Sequence, residues 1–221
     1  MHKTVQNLIN IQNLIKSKLS DLKLIDRYPK IIAVSKTFNL EHIHPLINHG
    51  HMDFGENKVQ EAIEKWTNLK KTNKNIKIHL LGRLQTNKVK HAIKIFDFIH
   101  SLDSKKLADR ISEEQKKSQT SLKIFIQINV GNESQKGGIN INELEDFYKY
   151  CINLNLDIIG TMCLPPFSDD SEKYFLRMNF LNKKFKFKEL SMGMSSDYLE
   201  AIKYKSTYLR IGTSIFGKRN I

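Results

Sequence analysis

A lysine closes a short apolar segment near the start of the chain. Lys36 follows residues 31–35, a β-branched run that is typical of a buried strand. Neighbouring strands desolvate a lysine at such a position, and desolvation lowers the pKa of an amine from its usual value of about 10.4. The neutral amine is nucleophilic and forms imines with aldehydes. The alternative is a lysine whose stem lies along the sheet while its ammonium group reaches water, and this segment alone favours that alternative.

Hydroxyl residues and glycines recur in two segments near the end of the chain. Residues 191–197 begin with Ser191 and contain Ser195, and Gly212 and Thr213 follow a later apolar run. Glycine lets the backbone approach a ligand closely, and hydroxyl and amide groups bind phosphate. For Ser195 the alternative role is the N-cap of the following helix, which is compatible with phosphate binding. An amine and a phosphate cradle together indicate a phosphorylated aldehyde such as pyridoxal 5'-phosphate (PLP).

The elements that must position these residues alternate between short apolar strands and amphipathic helices. An opening helix over about 5–19 precedes them. This alternation favours parallel strands joined by right-handed crossovers and predicts an α/β fold, a (β/α)8 TIM-type barrel with an additional N-terminal helix. An open doubly wound sheet is the alternative. Because a barrel gathers the carboxyl ends of its strands at one rim, Lys36 and the hydroxyl segments should meet there. The predicted strands are 31–35, 51–54, 76–81, 97–101, 122–130, 157–162, 188–192 and 207–211.

Composition limits the remaining functional classes. The chain has 221 residues with a formal net charge of +13, and we expect one domain over 1–221. Its lysines are spread along the chain without the interleaved aromatic residues of a stacking surface, so we expect no nucleic-acid partner. Two cysteines and no apolar run of membrane-spanning length predict a cytoplasmic protein without a membrane contact. The histidine spacing predicts no metal site, and His79 is expected to be a hydrogen-bonded interior residue.

Five stretches resemble the pyridoxal phosphate homeostasis protein family, whose members are single-domain relatives of the alanine racemase barrel. The resemblance runs in order from about residue 31 to residue 217. One departure is Lys205, which stands where the family usually has glycine. The stretches are AVSKT (33–37), GENKVQE (55–61), HLLGRLQTNK (79–88), LSMGMSSD (190–197) and LRIGTSIFG (209–217).

The resemblance implies roles for individual residues. It implies that Lys36 holds PLP as an aldimine, that either Ser191 or Ser195 contacts the phosphate, and that Arg210 approaches the pyridine nitrogen. A guanidinium is effectively always protonated, so it donates to that nitrogen and opposes protonation of the ring. The cofactor-binding set implied in this way is Lys36, Asn57, Ser191, Ser195, Arg210, Gly212 and Thr213.

The resemblance also implies a function, namely intracellular PLP homeostasis by storage, buffering or delivery. We expect no efficient turnover and no catalytic residue. A PLP-dependent amino-acid racemase is the alternative, but two-base racemisation needs a second acid or base that related racemases supply from a C-terminal domain, and we expect no such domain here. A cofactor-free aldolase is a third class. The expected partners are the small-molecule cofactor and PLP-dependent apo-enzymes, and we expect a monomer.

Overall fold

Eight parallel strands close into a barrel in sequence order, with β8 paired to β1. The computed structural model describes residues 1–24, 28–133, 135–166 and 170–218. Closure confirms the predicted (β/α)8 barrel and excludes the open sheet. The strands are β1 Lys30–Val34, β2 Asp53–Glu56, β3 Lys77–Leu80, β4 Phe98–Leu102, β5 Lys123–Ile128, β6 Asp157–Cys163, β7 Glu189–Met194 and β8 Tyr208–Ile211.

Helices cover the outside of the barrel. Those that follow strands bury their apolar faces against the sheet, and short 3-10 turns precede two of them. None of the helices in the described ranges combines the length and apolar character needed to span a bilayer. The helices are α1 Lys3–Asp21, α2 Leu40–Asn48, α3 Val59–Thr72, α4 Val89–Ile95, α5 Lys105–Ser118, α6 Leu144–Asn153, α7 Ser171–Lys184, α8 Tyr198–Lys203 and α9 Thr213–Phe216.

The additional N-terminal helix is confirmed. Helix α1 buries an apolar stripe that includes Leu8, Ile11 and Ile15, and it packs against α9, α8 and α2. Its Asn7 Nδ2 donates to the carbonyl of Ile215 at 2.9 Å. The helix therefore supports the segment that follows β8, one of the two segments expected to hold a phosphate.

Two local differences from the sequence prediction have simple causes. Strand β2 begins at Asp53, because His51 instead turns its Nε2 to the carbonyl of Asp53 at 2.9 Å. Helix α2 was not predicted. It is nine residues long and contains Pro45, which cannot donate the usual backbone hydrogen bond, yet burial of Ile43 and Leu46 stabilises it. Here, tertiary packing stabilises a helix that the local sequence only weakly favours.

Aromatic side chains fill the lower part of the barrel interior. His79 stacks on Phe98 and His100 stacks on Phe125, with ring centroids 4.2 Å apart in both pairs. Tyr208 packs against these rings from β8. The prediction that His79 is an interior, hydrogen-bonded residue is confirmed. Because this end of the interior is filled, the space for a ligand lies towards the carboxyl ends of the strands.

Lys205, which stands where the resemblance implies a glycine, adopts a left-handed backbone conformation with φ of 63°. A side chain in that conformation costs roughly 1–2 kcal/mol, partly offset because glycine loses more entropy on folding. Lys205→Gly should therefore raise the free energy of unfolding by about 0.5–1 kcal/mol, measured by urea denaturation. Lys116→Gly, placed inside α5, is the control and should lower that free energy by about 1 kcal/mol. Equal destabilisation by both changes would contradict the expectation.

Candidate functional site

A pocket of about 620 Å³ opens at the carboxyl ends of the strands. This volume suits a small organic ligand. Six of the seven predicted site residues line the pocket. Its wall also includes Ser196, Ser214 and apolar side chains from β1, β6, β7 and the segments after β3 and β6. The six are Lys36, Asn57, Ser195, Arg210, Gly212 and Thr213.

Lys36 lies in the turn that follows β1 and is half-buried. The next residue, Thr37, has a φ of 68°, and its amide donates to Glu61 Oε1 at 2.5 Å. Ser35 just before it is fully buried. The backbone is thus held on both sides of Lys36, and this fixes the direction in which its side chain leaves the turn.

Below that turn lies Glu56, a fully buried carboxylate at the end of β2. Its Oε1 accepts from Ser35 Oγ at 2.7 Å, from Lys65 Nζ at 3.0 Å and from Trp66 Nε1 at 3.0 Å. Burial raises the pKa of Glu56, and the Lys65 charge and these hydrogen bonds oppose that rise. The carboxylate therefore ties β1, β2 and α3 together beneath Lys36.

A second lysine near the site, Lys65, is fully engaged in this network. Its Nζ also donates to the carbonyl of Ser35 and to Glu61 Oε1, each at 2.9 Å. Sequence analysis did not identify Lys65 or Glu56. The i, i+4 spacing of Glu61 and Lys65 on a helix was a usable signal for their ion pair, but it gave no hint of the contacts to β1 and β2. Lys65 supports the turn, whereas Lys36 faces the pocket.

Arg210 on β8 is only 4% exposed, yet it lines the pocket. Its Nη1 donates to Ser191 Oγ at 2.7 Å and its Nη2 donates to the carbonyl of Cys163 at 2.8 Å. Burial lowers the pKa of Arg210, but a guanidinium remains charged at neutral pH. The arginine is a fixed positive donor at the floor of the pocket.

The two candidate serines occupy different places. Ser191 is fully buried inside β7, behind Arg210, and is absent from the pocket wall among the described residues. Ser195 follows the end of β7, and its Oγ accepts from the amides of Gly212 and Ser214 at 3.2 and 3.3 Å. Ser195 thus joins the ends of β7 and β8 at the rim. The capping alternative for Ser195 is wrong, because the N-cap position of α8 is Asp197.

Asn57 follows β2 and passes close to the segment after β3. A Cβ added to Gly82 would lie 2.3 Å from the carbonyl oxygen of Asn57. Only glycine permits this approach, which brings Asn57 to the pocket wall. On the described residues, the structure therefore brings together one lysine, one asparagine, one buried arginine and a hydroxyl-rich rim.

The chain forms a parallel barrel with a lysine after its first strand and a rim of hydroxyl groups after its last two strands. This combination is typical of the class of the alanine racemase N-terminal domain. The sequence profile of that domain matches residues 14–220. The pyridoxal phosphate homeostasis protein of Pasteurella multocida is 38% identical over 97% of this chain and 97% of its own. The corresponding protein of Aquifex aeolicus is 38% identical over 86% of this chain and 87% of its own. The chain belongs to the pyridoxal phosphate homeostasis protein family.

Solved structures agree with this assignment. PipY of Synechococcus elongatus, determined with PLP bound, is 32% identical, with a TM-score of 0.78 over 92% of this chain and 100% of that chain. An alanine racemase of Clostridium difficile shares the fold, with a TM-score of 0.75 and 18% identity over 99% of this chain and 57% of that chain. This chain thus corresponds in length to PipY and to about half of the racemase.

Proposed function

We propose that this protein binds PLP through Lys36 and acts in intracellular PLP homeostasis by storing, buffering or delivering the cofactor. One observation carries the proposal: an amine, a buried guanidinium and a hydroxyl-rich rim face a single pocket of about 620 Å³. PLP presents an aldehyde, a pyridine nitrogen and a phosphate, which are the chemical complements of these three groups. The PLP-bound structure of PipY, at 32% identity, supports the same reading.

Each predicted residue has a task that fits its place. Lys36 Nζ is the group that can bond covalently to the aldehyde. Thr213, Ser195 and the backbone at Gly212 lie at the rim and suit the phosphate, while Asn57 lies on the pocket wall. Ser191, one of the two serines that the resemblance offered for the phosphate contact, lies behind Arg210 and suits a supporting role.

Arg210 also bears on whether the protein turns over substrates. PLP supplies an electron sink when its ring nitrogen is protonated. A guanidinium only donates, so Arg210 beside that nitrogen would oppose its protonation and weaken the sink. This arrangement disfavours reactions that need a strong electron sink, and it supports binding without efficient turnover.

A racemase is the alternative function, and the pocket wall argues against it. Among the described residues that line the pocket, Lys36 is the only general base, and tyrosine, histidine and cysteine are absent. Racemisation needs a second acid or base on the opposite face of the substrate. Incubation with L-alanine should yield no appreciable D-alanine, whereas turnover near the enzyme median of about 10 per second would favour the racemase.

The phosphate end offers the test that is most specific to PLP. Ser195→Ala or Thr213→Ala should weaken PLP binding by about 1–3 kcal/mol, because each removes a hydrogen bond to an anion. Neither change should alter the affinity for pyridoxal, which lacks the phosphate. Absorbance titrations with both ligands measure this, and Ser118→Ala, an exposed serine on α5, is the control.

Equal affinity of the wild-type protein for PLP and pyridoxal would rule out the phosphate cradle. The proposal also includes delivery to PLP-dependent apo-enzymes, a cytoplasmic location and a monomeric state. Direct delivery would be tested by transfer of PLP from this protein to an apo-enzyme while an excess of a scavenger removes free PLP. Sedimentation would test the oligomeric state.

A further inference from the structure

A continuous line of hydrogen bonds crosses the barrel interior from the pocket to the opposite end of the barrel. Arg210 Nη1 lies 2.7 Å from Ser191 Oγ, which lies 2.9 Å from His100 Nδ1. His100 Nε2 lies 3.0 Å from His79 Nδ1. His79 Nε2 lies 3.0 Å from Oδ1 of Asp53, the first residue of β2. We call Asp53, His79, His100 and Ser191 the core chain.

The carboxylate end of the core chain sets the direction of its hydrogen bonds. A carboxylate only accepts, so His79 carries its proton on Nε2 and donates to Asp53. A neutral His79 then accepts at Nδ1 from His100 Nε2, and a neutral His100 accepts at Nδ1 from the hydroxyl of Ser191. Arg210 only donates, and Ser191 Oγ keeps a lone pair with which it accepts from Nη1.

Burial and ring packing hold the chain in one arrangement. His79, His100 and Ser191 are fully buried, and the side chain of Asp53 is 25% exposed. Phe98 stacks on one imidazole and Phe125 on the other, so neither ring can flip without disturbing the aromatic core. A buried polar chain is stable only when each member is satisfied, and here each ring nitrogen has a partner.

Burial disfavours the charged form of both imidazoles. Burial lowers the pKa of His79, although the hydrogen bond and charge of Asp53 and the charge of Asp97 raise it, and Lys30 lowers it further. Burial lowers the pKa of His100 well below its ordinary value, and a charge on His79 or Arg210 lowers it further. Asp53 also faces His51 and Lys30. Because a guanidinium does not give up its proton at neutral pH, the chain suits positioning rather than proton transfer.

We propose that the core chain positions Arg210, holding its guanidinium in one orientation at the floor of the pocket, where the pyridine nitrogen of PLP would meet it. The inference deepens the proposed function and rests on it. His79, His100 and Asp53 act through Ser191 and touch no ligand, so they are positioning residues. Ser191 thereby gains a role that differs from the phosphate contact expected from the sequence.

The first test uses the wild-type protein without cofactor. Nitrogen-15 NMR of the histidine side chains should show His79 and His100 as neutral Nε2–H tautomers from pH 6 to pH 8. An Nδ1–H tautomer or a mixture at His100 would overturn the inference. This measurement needs neither bound PLP nor a variant, so it is informative even if a core variant folds poorly.

The second test measures the cofactor in the Ser191→Ala variant. Loss of the hydroxyl frees Arg210 Nη1 and leaves His100 Nδ1 without its donor. The PLP affinity should fall about tenfold, and the absorption maximum of bound PLP should shift as the contact to its ring changes. Ser191→Thr, which keeps the hydroxyl, should restore the wild-type absorption maximum.

Ser112→Ala is the matched control, because Ser112 is a buried serine with one hydrogen bond to the carbonyl of Leu154, away from the pocket. It should leave the PLP affinity and the absorption spectrum unchanged. Wild-type affinity and absorption in Ser191→Ala would overturn the inference while leaving the proposed function standing. A wild-type protein that binds no PLP would instead overturn the proposed function.

Discussion

Lys36→Ala should abolish covalent attachment of PLP and weaken its binding at least about 100-fold, equivalent to about 2.7 kcal/mol. The reason is that Lys36 carries the only amine that lines the pocket among the described residues, while the other proposed contacts, at the rim and at Arg210, are noncovalent. The fold should persist, because the turn is held by Ser35, Glu56 and Glu61. Borohydride reduction followed by intact mass and peptide mapping measures the result.

Two other lysines make this test selective. Lys58→Ala, an exposed lysine one residue beyond Asn57, is the control and should keep full labelling. Lys65 contacts the carbonyl of Ser35, the residue before Lys36, but its Nζ is held there and by Glu56 and Glu61. A label found mainly on Lys65 or Lys58 in the wild-type protein would show that the site is wrongly assigned.

Gly160→Ala should destabilise the protein by roughly 3 kcal/mol or more. Gly160 lies in β6 and pairs with Glu189 at the start of β7, and an added Cβ would lie 1.8 Å from the carbonyl oxygen of Glu189. Because that neighbour is backbone, the two strands must separate to accept the methyl group. PLP binding should weaken as well, since β7 leads to Ser195 and β6 ends at Cys163, whose carbonyl holds Arg210.

Urea denaturation and a PLP titration measure these two effects. Gly50→Ala is the control, because Gly50 has a φ of 90° but no atom within 4 Å of an added Cβ. It measures the cost of a left-handed backbone without crowding, roughly 1–2 kcal/mol, whereas Gly160, whose φ is not positive, measures crowding alone. A Gly160→Ala protein as stable as Gly50→Ala would mean that β6 and β7 can separate locally without loss of the barrel.

The order of elements was predictable from the sequence because short apolar runs, several of them rich in β-branched residues, alternate with helices. That alternation restricts the topology to parallel sheets, and the number of such units favoured the closed barrel over the open sheet. Lys36 was found as a polar residue at the end of an apolar run, whereas the role of Arg210 came from the family resemblance. Helix α2 was missed, since nine residues around Pro45 carry a weak local signal.

The places of the two serines depend on where β7 ends. The sequence predicted an end at residue 192, which put Ser191 at the rim, but the strand continues to Met194. Ser191 therefore lies inside the barrel and Ser195 follows the strand. The end of β7 is set by its pairing with β8, whose register shifts between Ser191 and Met194. Pairing between distant segments cannot be predicted from the local sequence pattern.

The sequence by itself determined which residues carry reactive groups and that a barrel would gather strand ends at one rim. Only the tertiary structure decided which buried groups meet behind that rim. Glu56 with Lys65, and His100 with Ser191, join segments whose contact depends on strand register and on which face of a strand a side chain occupies. A shift of one residue reverses that face, so these contacts follow from barrel closure rather than from composition or local spacing.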